Sequence, residues 1–159
     1  MNVINGLPAH VLLVHAIVVL APLTAALEIL CGIFPPVRRR LIWLVLVLAL
    51  ITAALTPITA NAGEWLFNRQ HDHTAILQTH AERGEKMIYF AIALAVVAIV
   101  LAILHMREGR AEKRRVGANI LVAILALAVG VSTTIFVYMI GDAGAQSVWG
   151  NELSDTQDK

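Results

Sequence analysis

Charge is scarce in this chain. Asp, Glu, Lys and Arg make up 14% of its 159 residues, against about 25% in a soluble domain. With 58% of residues hydrophobic, there is too little polar surface to cover a water-soluble fold. Cysteine is almost absent: Cys31 stands alone in an apolar stretch, so an intrachain disulfide is excluded and the residue reads as filler. No Lys or Arg precedes Arg38. The first apolar stretch therefore lacks the positive n-region of a signal peptide and reads as a retained helix whose N-terminus crosses outward. Walker loops, Rossmann glycines, a G-x-S-x-G elbow, H-E-x-x-H and C-x-x-C-H signatures are all missing. No nucleophile or acid–base pair can be identified, which speaks against an enzyme. No basic patch is left over for nucleic acid once membrane topology is accounted for.

What is present is apolar length. Runs over about residues 7–34, 41–67, 87–106 and 118–140 reach or exceed the ~18–20 residues that cross ~30 Å of hydrocarbon. Pro35-Pro36 ends the first helix because neither ring can donate a backbone hydrogen bond, and Arg38-Arg39-Arg40 anchors the turn that follows. With Arg107, Arg110, Lys113, Arg114 and Arg115 after the third run, two short loops hold eight of the twelve Lys and Arg. The positive-inside rule places both loops in the cytoplasm. The expected fold is all-α: a four-transmembrane-helix, up-down-up-down bundle with both termini outside, in a bacterial cytoplasmic (inner) membrane. Residues 1–150 form one domain, 151–159 a polar disordered tail, and no internal repeat is convincing. The partners expected are the lipid bilayer and other membrane subunits or a second copy.

Polar residues inside the runs are few. Thr52, Thr56, Thr59 and Gly63 recur on one helical face, as small residues do where helices pack and hydroxyls bond across the interface. Ser132, Thr133 and Thr134 read the same way. Glu28 is the only ionisable residue well inside the first run. It snorkels to the inner interface or pairs with an Arg of 38–40, and a proton relay is the alternative. Pro22 and Pro57 should kink their helices. His105, beside Arg107, reads as an interface residue at a helix C-terminus.

Five of the six histidines fall at the outer ends of the runs. His10 and His15 are five apart, about 140° around a helix, so they point to different neighbours. His15 lies deeper and is the stronger ligand candidate of the two. His71-Asp72-His73-Thr74 resembles the cap of a helix running through His80, whose face also carries Gly84 and Met87. Glu82 and Glu85 lie on other faces, solvated or paired with Arg83 and Lys86. Imidazole suits Zn, Cu and Fe, and bundle cores commonly hold haem or metal.

The opening Gly-Leu-Pro-Ala-His-Val-Leu-Leu-Val-His (6–15) resembles the start of a bacterial membrane family labelled domain of unknown function 2231. Tyr138 to Trp149, with Gly141-Asp142-Ala143-Gly144-Ala145, is similar to its closing motif. Ala62-Gly63-Glu64-Trp65 and His80 to Gly84 resemble its weaker internal motifs. The resemblance covers essentially the whole chain. It implies four transmembrane helices with polar motifs at one end, and a link to membrane electron transfer, because some members are joined to Rieske-type iron–sulfur domains. His10, His15 and His80 are the positions it carries over as haem- or metal-binding candidates, with Glu64 and Asp142 as supporting polar residues. Asp142 stands where many members have His, and a carboxylate is a poor haem ligand. The leading expectation is a subunit holding haem b or a divalent metal ion at the outer end. A non-catalytic accessory subunit of a larger membrane complex, and a transporter or proton pathway using Glu28, are the alternatives.

Overall fold

The computed structural model describes residues 3–4, 7–70, 73–108 and 116–157. Four helices follow a short antiparallel pairing of β1 (Val3–Ile4) with β2 (Leu7–Pro8): α1 (Ala9–Ile33), α2 (Pro35–Phe67), α3 (Ala75–Glu108) and α4 (Val116–Gln157). All four are long and apolar enough to span a membrane.

The helices outrun the apolar segments that predict them. At 1.5 Å per residue, the 33 residues of α2 cover about 50 Å, well beyond ~30 Å of hydrocarbon. Once a helix is nucleated, continuing it satisfies each further N–H and C=O, so polar flanks are drawn in. Arg38, Arg39 and Arg40 accordingly lie in α2 rather than in a turn. The link between α1 and α2 is the single extended residue Phe34, and Pro35 and Pro36 occupy the first α2 positions, where a missing N–H costs nothing. α3 begins before His80, capped by Thr74, whose hydroxyl oxygen accepts the Leu77 N–H at 3.3 Å. α4 runs through Gln157, past Trp149, where the sequence reading ended the domain. α1 and α2 continue through Pro22 and Pro57 unbroken.

α1 packs on α2 and α4, and α3 packs on the same two helices from the other side. The start of α1 lies beside the last third of α2, and the start of α3 lies beside α4 around Ile140 and Gly144. Small residues fill much of the interior, beside the fully buried Ile42, Val45, Leu94 and Leu101. Ala21, Ala25, Ala49, Ala91, Ala98 and Ala126 are fully buried, while Val19, Ile58 and Leu121 are more than half exposed. That inversion is what lipid requires: large apolar side chains gain nothing by leaving hydrocarbon, and close backbone contact provides the packing. Gly32 and Gly130 allow the closest approach of α1 to α4; a Cβ on Gly32 would lie 3.1 Å from the Ala123 Cα, and one on Gly130 3.2 Å from the Ala25 carbonyl oxygen.

The threonine stripe of α2 faces inward as expected, with Thr52, Thr56 and Thr59 buried. Its hydroxyls do not bond across the interface. They donate to Leu48, Thr52 and Leu55 carbonyls of their own helix at 2.7–2.8 Å. Ser132 and Thr134 likewise bond within α4. In hydrocarbon the nearest acceptor is the turn below, and a threonine takes it.

Glu28 also departs from expectation. It neither snorkels nor pairs with an Arg of 38–40: it is fully buried, and neither carboxylate oxygen has a partner among the described residues. Arg38 is buried as well. Its Nη2 donates to both oxygens of Glu108 at 2.7 and 2.8 Å and to Asn119 Oδ1, while Nη1 donates to the Cys31 carbonyl at 3.2 Å. Asn119 in turn donates to Glu108 at 2.7 Å. One guanidinium thus ties all four helices together at this end.

Candidate functional site at the histidine-bearing end

Opposite that network, α1 brings in His10 and α3 brings in His80. The His10 Nδ1 lies 3.0 Å from the Thr59 carbonyl oxygen on α2, and the His80 Nδ1 lies 3.0 Å from the Ile140 carbonyl oxygen on α4. A carbonyl only accepts, so each Nδ1 carries the hydrogen, and in its neutral form each ring presents Nε2 as a lone pair. The two rings meet edge to face, with centroids 6.2 Å apart and planes at 80°. The cavity beside them is about 50 Å³ and is lined by apolar residues including Val14, Ile17, Met87, Val137 and Ile140.

A glycine one turn beyond each acceptor makes the seat. A Cβ on Gly63 would lie 2.8 Å from His10 Cε1 and 2.9 Å from its Nδ1; one on Gly144 would lie 3.0 and 3.1 Å from the same atoms of His80. The ring occupies the space a side chain would fill. Gly63→Ala should therefore push the His10 ring off Thr59. The lost hydrogen bond costs about 1 kcal/mol, while alanine in a helix gains roughly 0.5–1 kcal/mol over glycine. We expect the unfolding midpoint to move little while the nitrogen NMR signature of a hydrogen-bonded Nδ1–H on His10 disappears. An unchanged signature would count against the seat; Gly144→Ala should do the same to His80.

The two halves repeat this arrangement. Matching His10 to His80 also matches the buried Ile17 to Met87, Ala21 to Ala91 and Ala25 to Ala95. Matching Gly63 to Gly144 likewise matches Thr59 to Ile140, Thr52 to Thr133, and Arg38 to Asn119. Sequence inspection missed this repeat, and with it the glycine seats and the Arg38 network. A signal was there: Asn61-Ala62-Gly63 and Asp142-Ala143-Gly144.

The chain matches the model of the family described as "Predicted membrane protein (DUF2231)" over residues 6–157. It belongs to that family. No curated protein and no solved structure matches it. Of the three histidines expected as ligands, His10 and His80 are brought together and His15 is not. His15 is exposed on the outer face of α1, its Nδ1 bonded to the Val11 carbonyl one turn back. The 140° between the two histidines sends one inward and one outward; His10 is the inward one, contrary to the order expected from depth.

Glu64 is exposed. Asp142 is also exposed and accepts from Gln146 at 2.8 Å, so neither carboxylate joins the histidine pair. His80, Gly84 and Met87 share the inward face as expected. Arg83 donates to the Met139 carbonyl at 2.9 Å rather than pairing with Glu82. His73 stacks on Phe67 at 4.2 Å and reaches its carbonyl, and His71 and Asp72 lie outside the described residues. His105 meets the Trp43 ring edge to face at the other end of the bundle. No group of three or more His, Cys, Asp or Glu gathers among the described residues.

Proposed function

We propose that this chain is a membrane subunit that holds a redox metal centre between His10 and His80. The observation that carries the reading is the paired seat: both rings are fixed through Nδ1, leaving two Nε2 lone pairs on rings 6.2 Å apart. Were a metal ion bound here, His10 and His80 would hold it through Nε2, and it would supply redox chemistry. Anchoring the far nitrogen of each ligand is the usual support of a histidine metal site, since it fixes tautomer and ring orientation.

A haem is far larger than the cavity of about 50 Å³ beside the rings, so the pair as it stands fits a bare ion rather than a haem. A bare Fe or Cu ion would take its remaining ligands from small molecules in the adjoining cavity. Either ion changes oxidation state readily, which suits electron transfer. In the bilayer the arrangement is an up-down-up-down bundle with both termini outside, because Arg38–Arg40 and Arg107 mark the cytoplasmic end. The centre then sits at the outer end of the bacterial cytoplasmic membrane, where further membrane subunits would exchange electrons with it.

The test is an absorption spectrum with metal analysis of protein purified gently in mild detergent. A haem gives an intense visible band; a bare ion gives stoichiometric Fe or Cu without one. Colourless, metal-free protein that takes up neither haem nor metal on addition would sink the reading.

A further inference from the structure

Between its two polar ends the bundle interior holds polar atoms that the histidine pair does not use. Glu28 is fully buried on α1 with both carboxylate oxygens unpartnered among the described residues. Thr24, one turn earlier on α1, and Thr133 on the neighbouring α4 are also fully buried, with hydroxyl oxygens lacking partners among the described residues. The contact of Gly130 with Ala25 sets the register of these helices and places Thr133 within about a turn of Thr24. Native interiors leave few polar atoms unsatisfied, and each needs a reason. A carboxyl inside a membrane bundle is a functional candidate by default.

Among the described residues no cation is at hand to pair with it. At its end of the bundle, Arg38 of α2 is engaged by Glu108 of α3, and Asn119 of α4 binds both. Arg39, Arg40 and Arg107 are exposed, and His105 packs on Trp43. Cys31 is the other ionisable group of α1 here, and its carbonyl accepts from Arg38. An unpaired carboxylate in such surroundings costs far more than a neutral carboxylic acid does.

We propose that Glu28 is a proton site inside the membrane, its carboxyl taking up and releasing one proton through the Arg38–Glu108 end. Glu28 lies about 4.5 Å along the helix from Cys31, and so within a turn of the network. The Glu108 side chain is 15% exposed, which gives the network an edge on water. In the exchange one O–H bond forms on Glu28 as one breaks on a hydronium ion, and no electron moves. Thr24, Thr133, Thr52 and Thr56 are also buried in the bundle, and the Thr59 carbonyl meets the Nδ1 of His10. The proton site does not depend on the metal centre.

The full chain in detergent would be treated with dicyclohexylcarbodiimide, which enters apolar phases and adds to carboxyls in their protonated form. Peptide mass spectrometry then locates the adducts. We expect labelling of Glu28 that is lost as the pH is raised, is absent in Glu28→Gln, and persists in Glu28→Asp. Labelling confined to exposed carboxyls such as Glu64 and Asp142, with Glu28 untouched at every pH, overturns the proposal. Protection of Glu28 by Na⁺ at constant pH also overturns it, since that would make the position a cation site. The decisive labelling is read on the unmodified chain, so a variant that fails to fold does not blur the result. His10→Ala should leave Glu28 labelling in place, so the proton site and the metal centre stand or fall separately.

Discussion

Glu108→Ala should destabilise the bundle by about 3–5 kcal/mol, the range for breaking a buried ion pair from one side. Arg38 is completely buried, and Glu108 is its only charged partner among the described residues. With Glu108 gone, the Cys31 carbonyl and Asn119 still accept hydrogen bonds from the guanidinium, but no carboxylate among the described residues is bonded to it. The charge would then stand unpaired where Cys31, Ile42, Val45 and Leu101 form the core. Replacing both partners, as in Arg38→Met with Glu108→Leu, should recover most of the loss, because a well-packed apolar pair removes the desolvation penalty along with the attraction. Unfolding titrations of Arg38→Met, Glu108→Leu and the double variant in one detergent give the coupling directly. A loss below about 1 kcal/mol for Glu108→Ala, the range of a solvent-exposed pair, would mean that water reaches the guanidinium and that the network does not lock this end.

The second large effect concerns the histidine pair. His10→Ala and His80→Ala should each abolish the metal centre, because either change removes half of the protein ligands. The fold should survive both, since each ring contributes one hydrogen bond to stability, about 1 kcal/mol. His15→Ala is the control: its ring is exposed and bonds only to its own helix, so metal content and spectrum should be unchanged. The three variants, purified in parallel and compared by metal stoichiometry and visible absorbance, separate a two-histidine centre from adventitious binding at the surface. Retention of the full signal in His80→Ala, or its loss in His15→Ala, would contradict the assignment of ligands.

The four spans, the break at Pro35-Pro36 and the gathering of histidines at one end could all be read from residue order. They depend on local properties: hydropathy over a window, proline's missing N–H, and the position of a residue along an axis. Helix ends were less legible, because a helix continues into polar sequence at no cost once its hydrogen-bond ladder is running. The site itself was half legible. The spacing of His10 and His15 established that they point to different neighbours, but which neighbour lies inside the bundle depends on how α1 is rotated against α2 and α4. That rotation is set by contacts between small residues far apart in sequence, Gly32 with Ala123 and Gly130 with Ala25.

The same limit applies to charge. A run of three arginines after a span is a topological marker, and nothing local distinguishes Arg38 from Arg39 and Arg40. Packing does: Arg38 alone turns inward, to an acid on α3 and an amide on α4. Glu28 was expected to snorkel or to pair with one of those arginines, and packing instead buries it with neither oxygen partnered among the described residues.

Sequence by itself determined that this chain lives in a bilayer, as four helices with its histidines gathered at one end, because hydropathy and backbone hydrogen bonding act along the chain. Only the tertiary structure decided which histidines meet, where the glycines make room for them, and which acid pairs with Arg38. Those are contacts between helices, fixed by rotation and register that no single segment encodes.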